Sequence, residues 1–328
     1  MPTMSRRRND RDYRPVEWDA ALEDDLRQLV RLAVREDLDR HHDWTTALLV
    51  DEQAVSRAVV VARKPGIVAG LPGAALTLAE YDRRIVWTPL VEDGTQVAAG
   101  TTLAELSGPA RSLLTAERPM LNLLGRLSGI ATLTRRYVDA VAGTGVRVYD
   151  TRKTMLGWRR IEKYAVRMGG GSNHRVGLYD GILIKDNHLA QGAAPAGGNA
   201  GQGSESRYTP AQAVARSRAF IAERLAELPA ERAYWEAMLV EVEVDSLAQL
   251  ELVLPEHPDV VLLDNMPPAT LAEAVRRRDA VAPRVELEAS GGINLQTIRA
   301  AAESGVERIS VGGLTHSADW WDVGLDWL

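Results

Sequence analysis

DTRKTMLGWRRIEKYAVRMGGGSNHRVGLYDGILIKDNH, residues Asp150 to His188, decides how the rest of the chain is read. Its eight Lys and Arg (Arg152, Lys153, Arg159, Arg160, Lys163, Arg167, Arg175, Lys185) stand against four acids (Asp150, Glu162, Asp180, Asp186). The stretch therefore carries a net +4 (8 − 4) inside a chain of formal net charge -6. Arg159, Arg160, Lys163 and Arg167 recur at helical spacing, which predicts a helix with a solvated basic face. Arg152 and Lys153 follow the apolar run VRVY, where a strand should end. Lys185 closes ILI, and His174 and Arg175 follow three glycines. Cations at strand ends and in glycine-rich loops point into clefts more often than into bulk water, so this placement predicts a ligand with several negative charges.

Composition sets the outer bounds. At 328 residues the chain has room for two domains, or for one barrel with an appended domain. Hydrophobic content of 45% and charged content of 26% are those of an ordinary soluble globular protein. With a single Phe, the core must be built of Leu, Val, Ile and Ala. The absence of cysteine excludes disulfides, thiolate metal sites and cysteine nucleophiles. No apolar run approaches the roughly 18–20 residues that span a bilayer, so no membrane association is expected. The acidic balance argues against a general nucleic-acid surface, and a cytoplasmic location follows as the expectation. The first 17 residues are polar, with Arg6, Arg7 and Arg8, and read as a disordered tail.

Beyond Tyr149 the chain alternates strand and helix. Strands are expected at 145–150, 181–185, 239–244, 259–264, 284–289 and 307–311, with helices at 247–254, 268–281 and 295–304. Repeated β-α units of parallel character predict a TIM-like β/α barrel, closed or open. Residues 190–207, AQGAAPAGGNAGQGSESR, lack periodicity and read as a flexible insertion. Upstream, 17–40 is helical in pattern, 54–106 is strand-like with glycine punctuation, and 110–142 predicts one or two helices with Pro119 at a start or kink. The expected organisation is an α/β protein. A tail (1–17) precedes an N-terminal α+β, sandwich-like domain (18–127), on which the C-terminal 315–328 packs back, and a barrel domain (128–314). The tryptophans of DWWDVGLDW read as core or interface.

Two kinds of anion need two kinds of site. Arg forks grip planar carboxylates and Lys acts as a movable charge, so Arg118, Arg152, His174, Arg175 and Lys185 suit a dicarboxylate. Phosphates are held by backbone N–H groups in glycine-rich turns, often after the last strands of a barrel. Ser290-Gly291-Gly292 and Val311-Gly312-Gly313 are two such turns. Glu241 and Glu243 share a face of the strand VEVEV because strand side chains alternate, and Asp264 ends VVLLD. The adjacent His41 and His42 cannot share a face to hold a metal.

DTRKT, EKYAVR-x-GGG-x-NHR-x-GL and ILIKDNH resemble the quinolinate phosphoribosyltransferase family in order and spacing. ERPMLNLLGRLSGIAT at 117–132, then VEVEVDS, VVLLDN, LEASGGIN and ISVGGLTHS, continue the resemblance over most of the chain from about Ala20. It implies transfer of phosphoribosyl from 5-phosphoribosyl 1-pyrophosphate to quinolinate with decarboxylation, giving nicotinate mononucleotide, pyrophosphate and CO2. It implies Arg118, Arg152, His174, Arg175 and Lys185 as quinolinate ligands, with Arg118 supplied across the interface of a homodimer or a dimer-based hexamer. Thr151, Lys153, Glu243, Asp264, Ser290, Gly291, Gly292, Val311, Gly312 and Gly313 are implied to hold phosphoribosyl pyrophosphate. Lys153, Glu243 and Asp264 are implied to be catalytic, and Mg2+ to be bound mainly through substrate with Glu243 and Asp264. His188 reads as structural.

There are departures. Leu156 stands where the family commonly has proline, Ser172 is at a variable position, DRHHDW replaces a glycine-containing turn, and 190–207 is longer than usual. Rival readings are a same-fold paralogue with another acceptor, similar to molybdenum-utilisation proteins or a nicotinate-using transferase, and a Schiff-base aldolase on Lys185 or Lys153. A carrier domain of biotinyl or lipoyl type is disfavoured, because the hairpin-like DGT at 93–95 has no lysine.

Overall fold

The computed structural model describes residues 11–192 and 207–328. They form two compact units. One contains the described chain up to Arg14, Ala140–Tyr149 and His174–Val311; the other contains Pro15–Asp139, Asp150–Asn173 and Gly312–Leu328.

The second unit is built on a helix and an antiparallel sheet. The helix Ala20–Leu38 starts at Asp19, whose carboxylate accepts from Leu22 N at 2.8 Å, and buries Leu22, Leu26 and Val30. The sheet strands are β1 (Val55–Ala62), β3 (Val86–Pro89), β5 (Thr102–Pro109) and β12 (Val323–Trp327), in the order β12-β1-β5-β3. A two-stranded ribbon joins β2 (Gly66–Ile67) and β4 (Gln96–Val97). Val60, Leu71, Leu103, Met120, Leu124 and Trp321 meet in its core. Each such side chain contributes about 1.5–3 kcal/mol of transfer free energy. The Asp93 carboxylate of the DGT turn accepts from Gly70 N at 2.8 Å and Leu71 N at 3.0 Å, so that turn caps the helix Leu71–Tyr81. Trp321 is buried, whereas Trp320 is 56% exposed and Trp327 40%.

The first unit is a parallel sheet: β6 (Arg147–Tyr149), β7 (Ile182–Ile184), β8 (Val240–Val244), β9 (Val260–Asp264), β10 (Glu286–Ser290) and β11 (Arg308–Ser310). Its order is β6-β11-β10-β9-β8-β7, and among the described residues the two edge strands β6 and β7 do not pair, so the barrel is open. Val240, Val242, Val244, Val261, Leu263, Leu287 and Ile309 are buried, and the alternate positions are largely charged. That alternation follows from the two-residue period of a strand. No described helix is long and apolar enough to cross a membrane.

Several expectations are corrected. Residues 11–17 are no tail: Tyr13 and Val16 are each 6% exposed, and partners more than a hundred residues away hold them. Residues 1–10, and 193–206 of the expected insertion, lie outside the described residues, while 190 and 191 end the helix Asp186–Gln191. The helix Ala110–Ala140 runs continuously through the expected 127/128 boundary without bearing on it, and Pro119 breaks nothing beyond its own missing hydrogen bond. The expected basic helix is Arg159–Met168. Within it, Lys163 is fully buried rather than solvated.

Candidate active site

The loop after β6 is held at both ends by buried charge. Lys163 Nζ donates to Asp150 with both side chains 0% exposed, and Asn173 Nδ2 donates to the other Asp150 oxygen at 2.7 Å. Glu162 accepts from Met155 N at 3.2 Å through one oxygen and from Arg126 at 2.6 and 3.0 Å through the other. Between these anchors lie Thr151, Arg152 and Lys153. Thr151 Oγ1 accepts from Lys153 N at 3.1 Å. The Lys153 carbonyl accepts from Thr315 Oγ1 at 2.8 Å, and its Cδ would sit 3.0 Å from a Cβ on Gly312. Glycine at 312 is thus the residue that lets the lysine stem pass. Arg152 is half-buried, and its Nε is buried with no hydrogen-bond partner among the described residues. Arg118 is 70% exposed, with Glu117 at 4.0 Å.

In the barrel unit the strands' C-terminal ends bring Lys185, Glu243, Asp264 and Ser290 to one edge. Lys185 pairs with Glu243. His188 Nδ1 accepts from Lys185 N at 3.0 Å, so His188 fixes the turn that presents the lysine. Glu243 aligns with Leu262 on the adjacent strand, two residues short of Asp264, and Asp264 aligns with Ser290. Ser310 Oγ donates to Ser290 Oγ at 2.9 Å. The residue after Asp264, Asn265, has a left-handed backbone (φ 53). Its amide N donates to Ser290 O at 2.9 Å and its side chain to Asp264 at 2.8 Å. A Cβ on Gly291 (φ +89) would meet Asn265 Oδ1 at 2.2 Å, so only glycine fits there. The two expected phosphate turns differ. A helix Gly313–His316 starts on the glycines after β11, whereas Ile298–Glu303 starts well past Gly292.

His174 is not at this edge. It is 5% exposed, and both ring nitrogens are engaged: Nε2 lies 3.0 Å from Glu241 and 3.6 Å from Glu288, and Nδ1 accepts from Arg175 N at 2.9 Å. His174 was expected among the quinolinate ligands; here both of its ring nitrogens are bonded inside the unit. His174, Glu241 and Glu288 place one donor atom each within 4.8 Å of one another, a spacing a metal ion could share. The Arg175 N–H on Nδ1 leaves the proton on Nε2, which then donates to Glu241 and has no lone pair for a metal. Burial would raise Glu241, but His174, then Arg308 and the Tyr13 hydroxyl outweigh it and hold the carboxyl below the usual range. Burial, then the Glu241 charge, pushes the Glu288 carboxyl up. Glu241 is thus the more acidic carboxyl of the two. Arg175 is 5% exposed, donates to Gly181 O at 3.4 Å, and lines a cavity of about 450 Å³ with His188, Tyr208 and Arg216.

Sequence reasoning missed Asn265, Tyr13, Asp12, Glu286, Glu288 and Arg308. The charges at every second position of ELEAS and RIS, like those of VEVEV, were the available signal for the last three.

Comparison with known proteins gives one answer. The model of the quinolinate phosphoribosyl transferase N-terminal domain matches residues 43–128, and that of the C-terminal domain matches 130–195 and 221–326. The chain is 42% identical over 314 residues to a nicotinate-nucleotide pyrophosphorylase (carboxylating) of Mycobacterium leprae (strain TN), covering 94% of this chain and 98% of that protein. It is 37% identical over 284 residues to a probable nicotinate-nucleotide pyrophosphorylase (carboxylating) of Bacillus subtilis, covering 87% of each. The solved nicotinate-nucleotide pyrophosphorylase from Francisella tularensis superposes with TM-score 0.81 at 33% identity, over 97% of this chain and 100% of that one.

Proposed function

The chain belongs to the quinolinate phosphoribosyl transferase family, and we propose from that membership and from the site above how its residues carry out the family's reaction. The enzyme transfers phosphoribosyl from 5-phosphoribosyl 1-pyrophosphate to quinolinate and releases pyrophosphate and CO2, forming nicotinate mononucleotide for de novo NAD synthesis. The observation that carries the assignment of the acceptor pocket is Arg152. Its Nε is buried without a hydrogen-bond partner among the described residues, in a loop whose two ends are tied down by Asp150–Lys163 and Arg126–Glu162. A guanidinium prepared in this way matches a planar carboxylate.

We assign Arg152, Arg175 and Lys185 to the quinolinate carboxylates, together with Arg118 of a partner subunit, whose exposure on this chain supports a role across a homodimer interface. In the resting pair Lys185 is neutralised by Glu243, so dicarboxylate binding has to draw the lysine away and leave Glu243 available to the ribose. The pyridine nitrogen attacks C1 of the ribose as pyrophosphate leaves. Glu243 and Asp264 face the positive charge that develops on the sugar, and Lys153 meets the negative charge on the leaving group. Ser290 to Gly292 and Val311 to Gly313, with Thr151, bind phosphate. Glu243 and Asp264 are two carboxylates on neighbouring strands with no imidazole, a donor set that fits hydrated Mg2+ bound mainly through substrate phosphates. When bound, Mg2+ would offset the charge of the departing pyrophosphate. A phosphorylated sugar does not cross a bilayer, which supports a cytoplasmic setting.

The test is a product assay with phosphoribosyl pyrophosphate and Mg2+, offering quinolinate and nicotinate in parallel. Nicotinate mononucleotide and CO2 in equal amounts from quinolinate alone is the expected result, with Arg152→Ala and Lys185→Ala each losing at least ~100-fold in kcat/KM, about 2.7 kcal/mol. Turnover of nicotinate alone would overturn the dicarboxylate pocket.

A further inference from the structure

The segment Arg11-Asp12-Tyr13 is pinned across the sheet of the barrel unit. Arg11 pairs with Asp259 at 3.0 Å and donates to the carbonyls of Glu236 and Met238 at 2.7 and 2.6 Å. Asp12 pairs with Arg147 and Arg308 and accepts from Tyr149 Oη at 2.7 Å. Tyr13 follows, its hydroxyl donating to Glu241 Oε2 at 2.6 Å and its ring lying on His174 with centroids 4.5 Å apart. Arg308 lies 5.5 Å from the Tyr13 ring centroid.

We infer that Tyr13 is a positioning residue for Arg175, acting through Glu241 and His174. The inference rests on the reading of Arg175 as a quinolinate ligand. The Tyr13 hydroxyl and His174 Nε2 converge on the same oxygen, Glu241 Oε2, while Glu241 Oε1 has no hydrogen-bond partner among the described residues. Glu241 is therefore aimed by these two donors. Arg308 stands near as a second cation, with Nε 3.1 Å from Glu286 Oε2 and Nη1 4.0 Å from Glu288 Oε2. Without the tyrosine hydroxyl, Glu241 is free to turn towards Arg308. His174 then loses the acceptor that keeps its proton on Nε2 and its Nδ1 open. That Nδ1 holds the Arg175 backbone N–H at 2.9 Å, so the disturbance reaches the residue that meets the acceptor. The groups facing the pair are Glu288, Arg308 and Asp12, and among the described residues none of them donates a hydrogen bond to Glu241.

Tyr13→Phe in the full-length enzyme removes the hydroxyl and keeps the ring contact with His174. Steady-state kinetics with each substrate varied should show KM for quinolinate raised about 10-fold, the equivalent of one hydrogen bond to a charged group. KM for phosphoribosyl pyrophosphate should stay within about twofold. The pH profile of kcat/KM for quinolinate should shift, because His174 becomes free to protonate. Glu241→Gln should give the same split, and the double variant should cost little more than either single one. Equal changes in both KM values, or none, would overturn the inference while leaving the reaction intact. Wild-type protein inert towards quinolinate would overturn the reaction as well, and that is read before any variant is made.

Discussion

Replacing Lys163 by methionine takes the cation out of a pair whose two side chains are both 0% exposed. The Asp150 carboxylate keeps the Asn173 amide, 2.7 Å away, in a site closed to water. Removing one partner of a buried ion pair costs about 3–5 kcal/mol, because the remaining charge is desolvated without compensation. At about 2–4 °C per kcal/mol for a chain of this size, the expected fall in Tm is roughly 6–20 °C. Asp150→Asn combined with Lys163→Met should recover most of that loss, since no charge then remains buried. The single variant should also acquire a pH dependence. Asp150 would take up a proton to stay buried, so its native pKa would rise above the unfolded value and stability would drop as pH rises through that interval. Guanidinium unfolding of wild type, single and double variants, followed by circular dichroism near pH 5 and pH 8, measures all three terms. A single-variant loss below about 1 kcal/mol, or a double variant no better than the single, would refute the claim that this pair sets the loop carrying Arg152.

Three further expectations follow from the same geometry. Gly291→Ala forces a Cβ to within 2.2 Å of Asn265 Oδ1 at a φ of +89, so KM for phosphoribosyl pyrophosphate should rise while KM for quinolinate holds; equal effects on both would count against a phosphate turn. Glu288→Gln replaces a carboxyl whose pKa burial and the Glu241 charge push up. Wild-type stability should decline by up to about 1.4 kcal/mol per pH unit as pH rises from the ordinary carboxylate value to the raised one, and the variant should lose that slope in melts taken across the range. Mixing Arg118→Ala with Lys185→Ala should restore part of the activity that each lacks, because a shared dimer would contain one intact site; activity that stays at the level of the separate variants would place Arg118 outside the partner's pocket.

The barrel was legible because its strands are short apolar runs ending in charge. The expected 259–264 and 268–281 emerge as Val260–Asp264 and Pro268–Val281. Glu243, Asp264 and Lys185 were visible at strand ends for the same reason. Lys163 was misread because helical spacing alone does not say which face meets a buried acid thirteen positions earlier. Tyr13 was invisible, since its partner Glu241 lies 228 residues away and the polar residues around it carry no period. His174 was placed at the cleft because a histidine beside an arginine in a glycine-rich loop reads as an anion ligand. Only the packing shows that Glu241 and the Arg175 backbone take up both nitrogens. Local pattern reports which strand a residue ends; it does not report which long-range partner claims a polar atom.

The contrast between Arg152 and its surroundings bears on why so much charge is buried near it. Asp150, Lys163, Glu162 and Arg126 are buried and bonded to one another or to backbone, at a desolvation cost that apolar residues would not incur. Stability alone does not explain that choice, because well-packed hydrophobic replacements of buried ion pairs are often neutral or better. What the charges supply is direction. Asp150 and the Met155 N–H are fixed by oriented hydrogen bonds, and the Arg152 side chain between them inherits that placement. Among the described residues Arg152 Nε has no hydrogen-bond partner although it is buried, which is the state a cation needs before an anionic ligand arrives. An electrostatic site assembled in advance avoids reorganisation when charge develops in the reaction. In this loop the buried pairs do the holding, and Arg152 is left free to bind.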